Sequence, residues 1–260
     1  MYREYAPAAA LAPYVSCFWD STPRPAPQRV LPDGAMDVLY VLGAERSRVI
    51  GTMSRAILTS AGVSAHVIGV RFRPGAAIDL LGVSGSELLD DSALAADVWR
   101  AEGRSLDDAL ASAANARDAL AVLSCALLER ARRAAPPDRR VQRAVASLDA
   151  TFGGLPIPTL ARGAGVSERQ LERLFTERVG YGPKLYARVA RLGRAVNMMD
   201  SSQTAASFAE VAAASGYSDQ AHLVREFRAL SGVTPGAYAR ERRMSEIDNS
   251  ARLSAATLNR

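Results

Sequence analysis

Over residues 1–73 the apolar positions fall into short runs broken by proline and glycine, a pattern of strands and turns. Residues 14–19, 30–31, 36–42, 49–50 and 66–72 form these runs, with 57–58 a shorter one. A Pro32-Asp33-Gly34 turn separates the second from the third, and Pro23, Pro25 and Pro27 stud the loop after the first. Five or six strands at this spacing predict a small antiparallel barrel or sandwich. From Pro74 the apolar period lengthens to that of helices. Residues 76–81 fit a short helix, 86–89 begin another, and 94–99 are apolar on one side. The clearest helix spans 115–133, where Leu120, Leu123, Leu127 and Leu128, with Ala119, Val122 and Ala131, make a broad apolar stripe. That stripe fits either internal packing or a dimer interface.

Residues 134–138, centred on Pro136-Pro137, read as a short linker that stops the long helix. A helix over 139–150 follows, with Val141, Val145 and Leu148 facing inward. Beyond it the chain repeats itself. Gly180, Pro183 and Tyr186 recur as Gly232, Pro235 and Tyr238, and Leu171, Arg173 and Phe175 recur as Leu223, Arg225 and Phe227, all at an offset of 52 residues. Each copy reads as helix, tight turn, helix. Ala161 and Ala212 fit close helix crossings, and Gly165 and Gly216 suit the left-handed residue that ends the first helix of each pair. Ser167 is a fitting N-cap for the next helix. The turns cannot be identical, because six residues separate Gly165 from Leu171 and seven separate Gly216 from Leu223. Residues 183–199 predict a connecting helix of about 26 Å at 1.5 Å per residue, with Pro183 in its first turn.

Paired helices of this kind are the helix-turn-helix, whose second helix enters the major groove. The segment 138–243 resembles the DNA-binding domain of the AraC/XylS family of bacterial transcription regulators. The resemblance rests on the second copy, from Phe208-Ala-Glu-Val-Ala through Gly216-Tyr217-Ser218-Asp219 and Leu223-Val-Arg-Glu-Phe227 to Gly232-Val-Thr-Pro-Gly-Ala-Tyr238. It implies that Arg169, Glu172 and Arg173 of the first copy, and Gln220, Ala221, His222 and Arg225 of the second, reach base edges. Arg suits guanine, Glu the cytosine amino group, Gln adenine, and Ala an apolar contact such as a thymine methyl. It also implies a cupin-like sensing barrel, dimerisation through the sensing domain, and operator DNA and RNA polymerase as partners.

Charge supports this division. Residues 138–243 carry 16 Arg and Lys against 10 Asp and Glu, whereas residues 1–137 carry 14 against 15. The basic excess therefore sits on the segment expected to meet phosphates. Cys17 and Cys125 are far apart, which argues against a zinc site or a disulfide framework. With His66 and His222 the only histidines, one per domain, a cupin metal site cannot be assembled, and no metal or other cofactor is expected. No nucleophile elbow, phosphate loop or zinc-protease motif occurs, so the chain is not expected to be an enzyme. The pairs Asp90-Asp91 and Asp107-Asp108 read as solvated helix starts.

The expectation is an α+β chain of two domains. Residues 1–135 form a small, cupin-like β-barrel with flanking helices that senses an effector and dimerises. Residues 136–243 form an all-α domain with two helix-turn-helix motifs joined by a long helix, and 244–260 are a disordered tail. Without an apolar span or signal pattern the protein is placed in the cytoplasm, on the nucleoid. The alternative is a redox or alkylation sensor using Cys17 on the same DNA-binding domain. Regulators of the Ada type have such a sensor, but with a cysteine cluster that this chain lacks. For the effector, either Trp19 and Arg71 line a pocket, or the aromatics fill the barrel and Arg71 pairs with Asp33 or Asp37.

Overall fold

The computed structural model describes residues 2–22, 28–59, 66–201 and 207–244. The loop at 23–27 and all but Met244 of the expected tail lie outside these residues. The first half contains strands β1 (Tyr2–Tyr5), β2 (Val15–Ser21), β3 (Arg29–Val30), β4 (Asp37–Val41), β5 (Arg48–Ile50), β6 (Ile57–Leu58), β7 (Val67–Phe72) and β8 (Ser92–Leu94). With them are helices α1 (Ala77–Leu81), α2 (Ala95–Trp99), α3 (Ala101–Ala111) and α4 (Ala116–Ala131), and a 3-10 turn at Gly85–Leu88. The second half is helical: α5 (Arg139–Ala150), α6 (Ile157–Ala164), α7 (Glu168–Val179), α8 (Pro183–Ser201), α9 (Phe208–Ala214), α10 (Gln220–Ser231) and α11 (Pro235–Met244).

Six strands form one antiparallel sheet in the order β1-β2-β7-β4-β5-β8, and β3 pairs with β6 in a separate ribbon. Alternation along the strands sorts the two faces. Phe18, Val70, Val38 and Val49 are neighbours in register, all buried, and belong to the core that α4 covers. Trp19, Gly69 and Leu39 form the adjacent row on the other face. Gly69 is needed there, because a β-carbon would come within 2.4 Å of the Trp19 ring. Sheet pairing ends at β1 and β8, so strand pairing closes no barrel among the described residues. The remaining strands, β3 and β6, are two residues long each and pair only with one another.

The α4 stripe is largely internal. Ala119, Leu123 and Leu127 are buried against the sheet, and Leu120, Val122 and Leu128 pack on the same core. The reading of Asp107 as a solvated helix start is corrected. It lies inside α3, buried, and accepts from the Ser47 backbone N at 2.8 Å and Ser47 Oγ at 2.5 Å. Sequence patterning misses α3 because its polar residues and Gly103 dilute the apolar stripe.

The sheet domain grips the helical domain at two places. Gly85 meets Gly180, where a β-carbon on Gly85 would lie 2.6 Å from the Gly180 nitrogen. Nearby, Arg178 on α7 donates to both oxygens of Asp79 on α1 at 3.1 and 3.0 Å. At the other place Arg29 on β3 donates to both carboxylate oxygens of Glu241 on α11 at 3.0 Å, and to the Ser231 carbonyl at 2.9 Å. The Ala56 nitrogen adds a bond to the Leu230 carbonyl at 2.7 Å. Between these contacts lies Asp149 at the end of α5, which accepts from Tyr186 Oη at 3.0 Å. Burial pushes the Asp149 carboxyl up to about 6, against the pull of the Tyr186 hydrogen bond.

Two outcomes follow from this packing. Leu127→Glu is expected to unfold the sheet domain, because it places an unpaired carboxylate where Leu127 is 1% exposed, a loss of several kcal/mol. Circular dichroism and gel filtration check this, and a folded, soluble monomer would place the stripe at a subunit interface instead. For Asp149, the folded pKa lies above the ordinary carboxylate value, so native stability falls as pH rises from about 4 through 6. Asp149→Asn keeps an acceptor for Tyr186 and should flatten that fall, by under ~1 kcal/mol at pH 7.5 because solvent reaches the exposed carboxylate and screens it. Thermal melts at pH 5 and 7.5 measure it, and an unchanged pH dependence would contradict it.

Candidate nucleic-acid interface

Local chemistry builds the two helix-turn-helix units. Gly165 ends α6 at φ 73°, the Val166 nitrogen bonds the Ala161 carbonyl at 3.0 Å, and the Ser167 side chain caps α7 by accepting from the Gln170 nitrogen at 3.2 Å. In the second unit Ser207 and Glu210 form a capping box at the start of α9. Gly216 turns the chain at φ 77°, and the Tyr217 nitrogen bonds the Ala212 carbonyl, again at 3.0 Å. Asp219 caps α10 by accepting from the His222 nitrogen at 2.6 Å. The N-cap stands two residues after the glycine in the first turn and three after it in the second. This accounts for the unequal spacings in the sequence. Ala161 and Ala212 are buried where the paired helices cross.

The repeated residues make a repeated contact. Phe175 meets Tyr186 edge-on at 5.9 Å and 76°, and Phe227 meets Tyr238 at 5.4 Å and 66°. Gly180 and Gly232 end α7 and α10 in the left-handed conformation, and Pro183 and Pro235 begin the helices that carry the tyrosines. Helix α8 serves both units. Tyr186 and Val189 enter the first core, while Leu192, Ala195 and Val196 enter the second. Arg188 on α8 binds Glu226 on α10 at 2.6 Å, and Arg191 donates to the Gly153 carbonyl at 3.1 Å and lies over the Tyr217 ring.

The predicted base-reading residues occupy the first two turns of α7 and α10. Arg169, Glu172 and Arg173 are exposed, as are Gln220, Ala221 and Arg225, while His222 is half-buried. Both helices are held to the sheet domain by their C-terminal ends, so these N-terminal halves stay open. Glu172 folds over the start of α8, with its Oε1 only 2.0 Å from where a β-carbon on Gly182 would be. His222 accepts at Nδ1 from the Ser218 nitrogen at 3.3 Å, which leaves Nε2 to carry the proton outward. Motif reading passed over Arg162 and Lys184, exposed basic residues suited to phosphates.

Of the two alternatives for Trp19 and Arg71, the geometry matches the pairing of Arg71 with Asp33 and Asp37. One carboxylate joins the two residues: Trp19 Nε1 donates to Asp37 Oδ1 at 2.9 Å, and Arg71 Nε lies 3.4 Å from Asp37 and 3.4 Å from Asp33. Burial raises the Asp37 carboxyl above the usual range, against the pull of Arg71. Arg71 is satisfied within the protein, and it lines a cleft that Trp19 does not reach. Cys17, the residue of the thiol alternative, is buried opposite Arg71 in register and withdrawn from solvent. His66 pairs with Asp20 at 3.3 Å. Among the described residues no cluster of His, Cys, Asp and Glu could hold a metal, and no helix is long and apolar enough to cross a membrane.

Residues 160–241 match the family described as a helix-turn-helix domain, and residues 3–93 match a domain of unknown function (DUF6597). The chain is 41% identical over 81 residues to the HTH-type transcriptional regulator GlxA of Rhizobium meliloti (strain 1021), spanning 31% of this chain and 24% of that protein. It is therefore similar to about a quarter of that relative's length. A transcriptional regulator with an AraC-type DNA-binding domain from Chromobacterium violaceum is 32% identical, with 40% of this chain and 91% of that one covered and a TM-score of 0.37. ToxT from Vibrio cholerae, at 10% identity, covers 86% of this chain and 97% of its own, with a TM-score of 0.47. The matched relatives are transcription regulators and not enzymes. Through its C-terminal helix-turn-helix domain, this chain belongs to the AraC/XylS family of DNA-binding transcription regulators.

Proposed function

We propose that one chain reads two successive major-groove segments of an operator, α7 through Arg169 and Arg173 and α10 through Gln220, Ala221, His222 and Arg225. The observation that carries this reading is the duplicated presentation. Both second helices expose their first turns and meet the sheet domain at their C-terminal ends, and α8 packs into both cores. Its 19 residues span about 28 Å. With the widths of the flanking helices this approaches the ~34 Å between successive major-groove faces. Arg169 and Arg173 suit guanine edges, while Glu172, turned toward Gly182, contributes by orienting the start of α8 as much as by reading a base. The first 135 residues form the sensing domain, residues 136–243 the DNA-binding domain, and the sensed molecule biases how the two reading helices are held. A homodimer would use the outer side of α4, where Ala121 and Cys125 are exposed.

The test is selection of bound sequences from random duplex DNA by the intact chain, followed by titration of variants. Arg173→Ala should lose ~1–3 kcal/mol and relax preference at one or two base pairs in one segment. Arg225→Ala should do the same about ten base pairs away. Equal weakening on all sequences would make these arginines phosphate contacts and overturn their assignment to bases.

A further inference from the structure

The two domains enclose a cleft of about 400 Å³, walled on one side by α5 and α8 and on the other by the Pro32-Asp33 turn and the end of β7. We propose that this cleft binds a small amphipathic acid, with its apolar body along α8 at Gly193 and its anionic group accepting from Arg194. The volume suits a small molecule, since ligand sites run from roughly 300 to 1,000 Å³. Leu31, Val145 and Val189 give the walls an apolar character.

Three independent features point to an occupant. Gly193 sits inside a long helix, where glycine is destabilising relative to alanine. No atom lies within 4 Å of where its β-carbon would be, so close packing does not demand the glycine there. It keeps a groove open along the helix. Arg194 lies next to it, and its Nε is buried with no hydrogen-bond partner among the described residues. A buried donor left unmatched is costly, and a carboxylate or sulfonate is the acceptor a guanidinium pairs with best. The third feature is Phe152. Its backbone is in the left-handed region at φ 49°, its ring is 39% exposed, and the Arg194 guanidinium stacks on it at 4.5 Å. A strained aromatic residue held against an unsatisfied arginine in a cleft marks a binding position better than a packing one. Arg71 and Asp33, which also line the cleft, satisfy each other and form its rim.

The proposal deepens the regulator reading, because α8 is the element shared by both helix-turn-helix cores. A molecule seated on it touches the strut between the reading helices. The test contains no DNA, so its failure would leave the DNA-binding reading standing. The intact chain is titrated with 8-anilinonaphthalene-1-sulfonate and with N-phenyl-1-naphthylamine, which has the same aromatic body without the sulfonate. One saturable sulfonate site per chain is expected, with the neutral analogue at least tenfold weaker. Gly193→Leu should fill the groove and Arg194→Ala should remove the donor, each weakening binding at least tenfold, with Gly193→Ala weakening it less than Gly193→Leu. Near-UV circular dichroism confirms that each variant is folded, and if Gly193→Leu is not, Arg194→Ala and the neutral analogue decide the outcome. No saturable binding, or binding unchanged by Gly193→Leu in a folded protein, overturns the site. A neutral analogue that binds as tightly as the sulfonate, or indifference to Arg194→Ala, overturns the acid.

Discussion

Everything in the DNA-binding half depends on one contact made twice: a phenylalanine of the reading helix, edge-on against a tyrosine of the helix that follows. Phe175 with Tyr186 and Phe227 with Tyr238 lock each reading helix to its successor across a glycine-capped turn. All four rings are at most 3% exposed, so each clasp is also the centre of a core. The left-handed glycine and the proline that starts the next helix fix the angle at which the tyrosine returns. Because the first tyrosine lies on α8, the first clasp also orients the strut that reaches the second unit. Leu192, Ala195 and Val196 then carry that orientation into the second core.

The sheet domain acts on the same elements from outside. Its contacts fall at the C-terminal ends of both reading helices: Asp79 and Gly85 against Arg178 and Gly180, and Arg29 and Ala56 against Ser231 and Leu230. A domain gripping two helices at one end each can change their relative setting without covering the face that meets DNA. The grip is polar where it must hold direction, with paired charges on Arg178 and Arg29, and close-packed at the two glycines.

Much of this was legible in the sequence, and the reason differs by region. The helix-turn-helix units were readable because their determinants are local. A glycine, a capping serine and an apolar face three or four residues apart specify a turn without distant partners, and duplication repeats the message. The unequal turns could be counted from Gly165, Leu171, Gly216 and Leu223 alone. Strands β2, β4 and β7 were readable from their apolar runs, but β8 has only three residues and β1 alternates between half-buried and exposed, so neither declares itself. The burial of Asp107 depends on Ser47, 60 residues away, and no spacing rule reports that pairing. The same holds for Arg29 with Glu241 and for the cleft at Gly193 and Arg194, which exist only once the domains meet. Arg71 was readable as a residue with a task, and the sequence could not decide between ligand and carboxylate. The fold places Asp33 and Asp37 around it.

If α8 holds the two reading units at one fixed separation, the spacing between the two recognised segments of the DNA site is fixed as well. The operator selected by the intact chain can be lengthened by five or by ten base pairs between its two recognised segments, and affinity measured for each. A rigid strut predicts that both insertions lose at least tenfold, because ten base pairs restore the face of the duplex but move the second segment a full turn, about 34 Å, out of reach. If the ten-base-pair insertion kept the original affinity, the two units would be flexibly joined and the account of a fixed, clasped pair would be wrong.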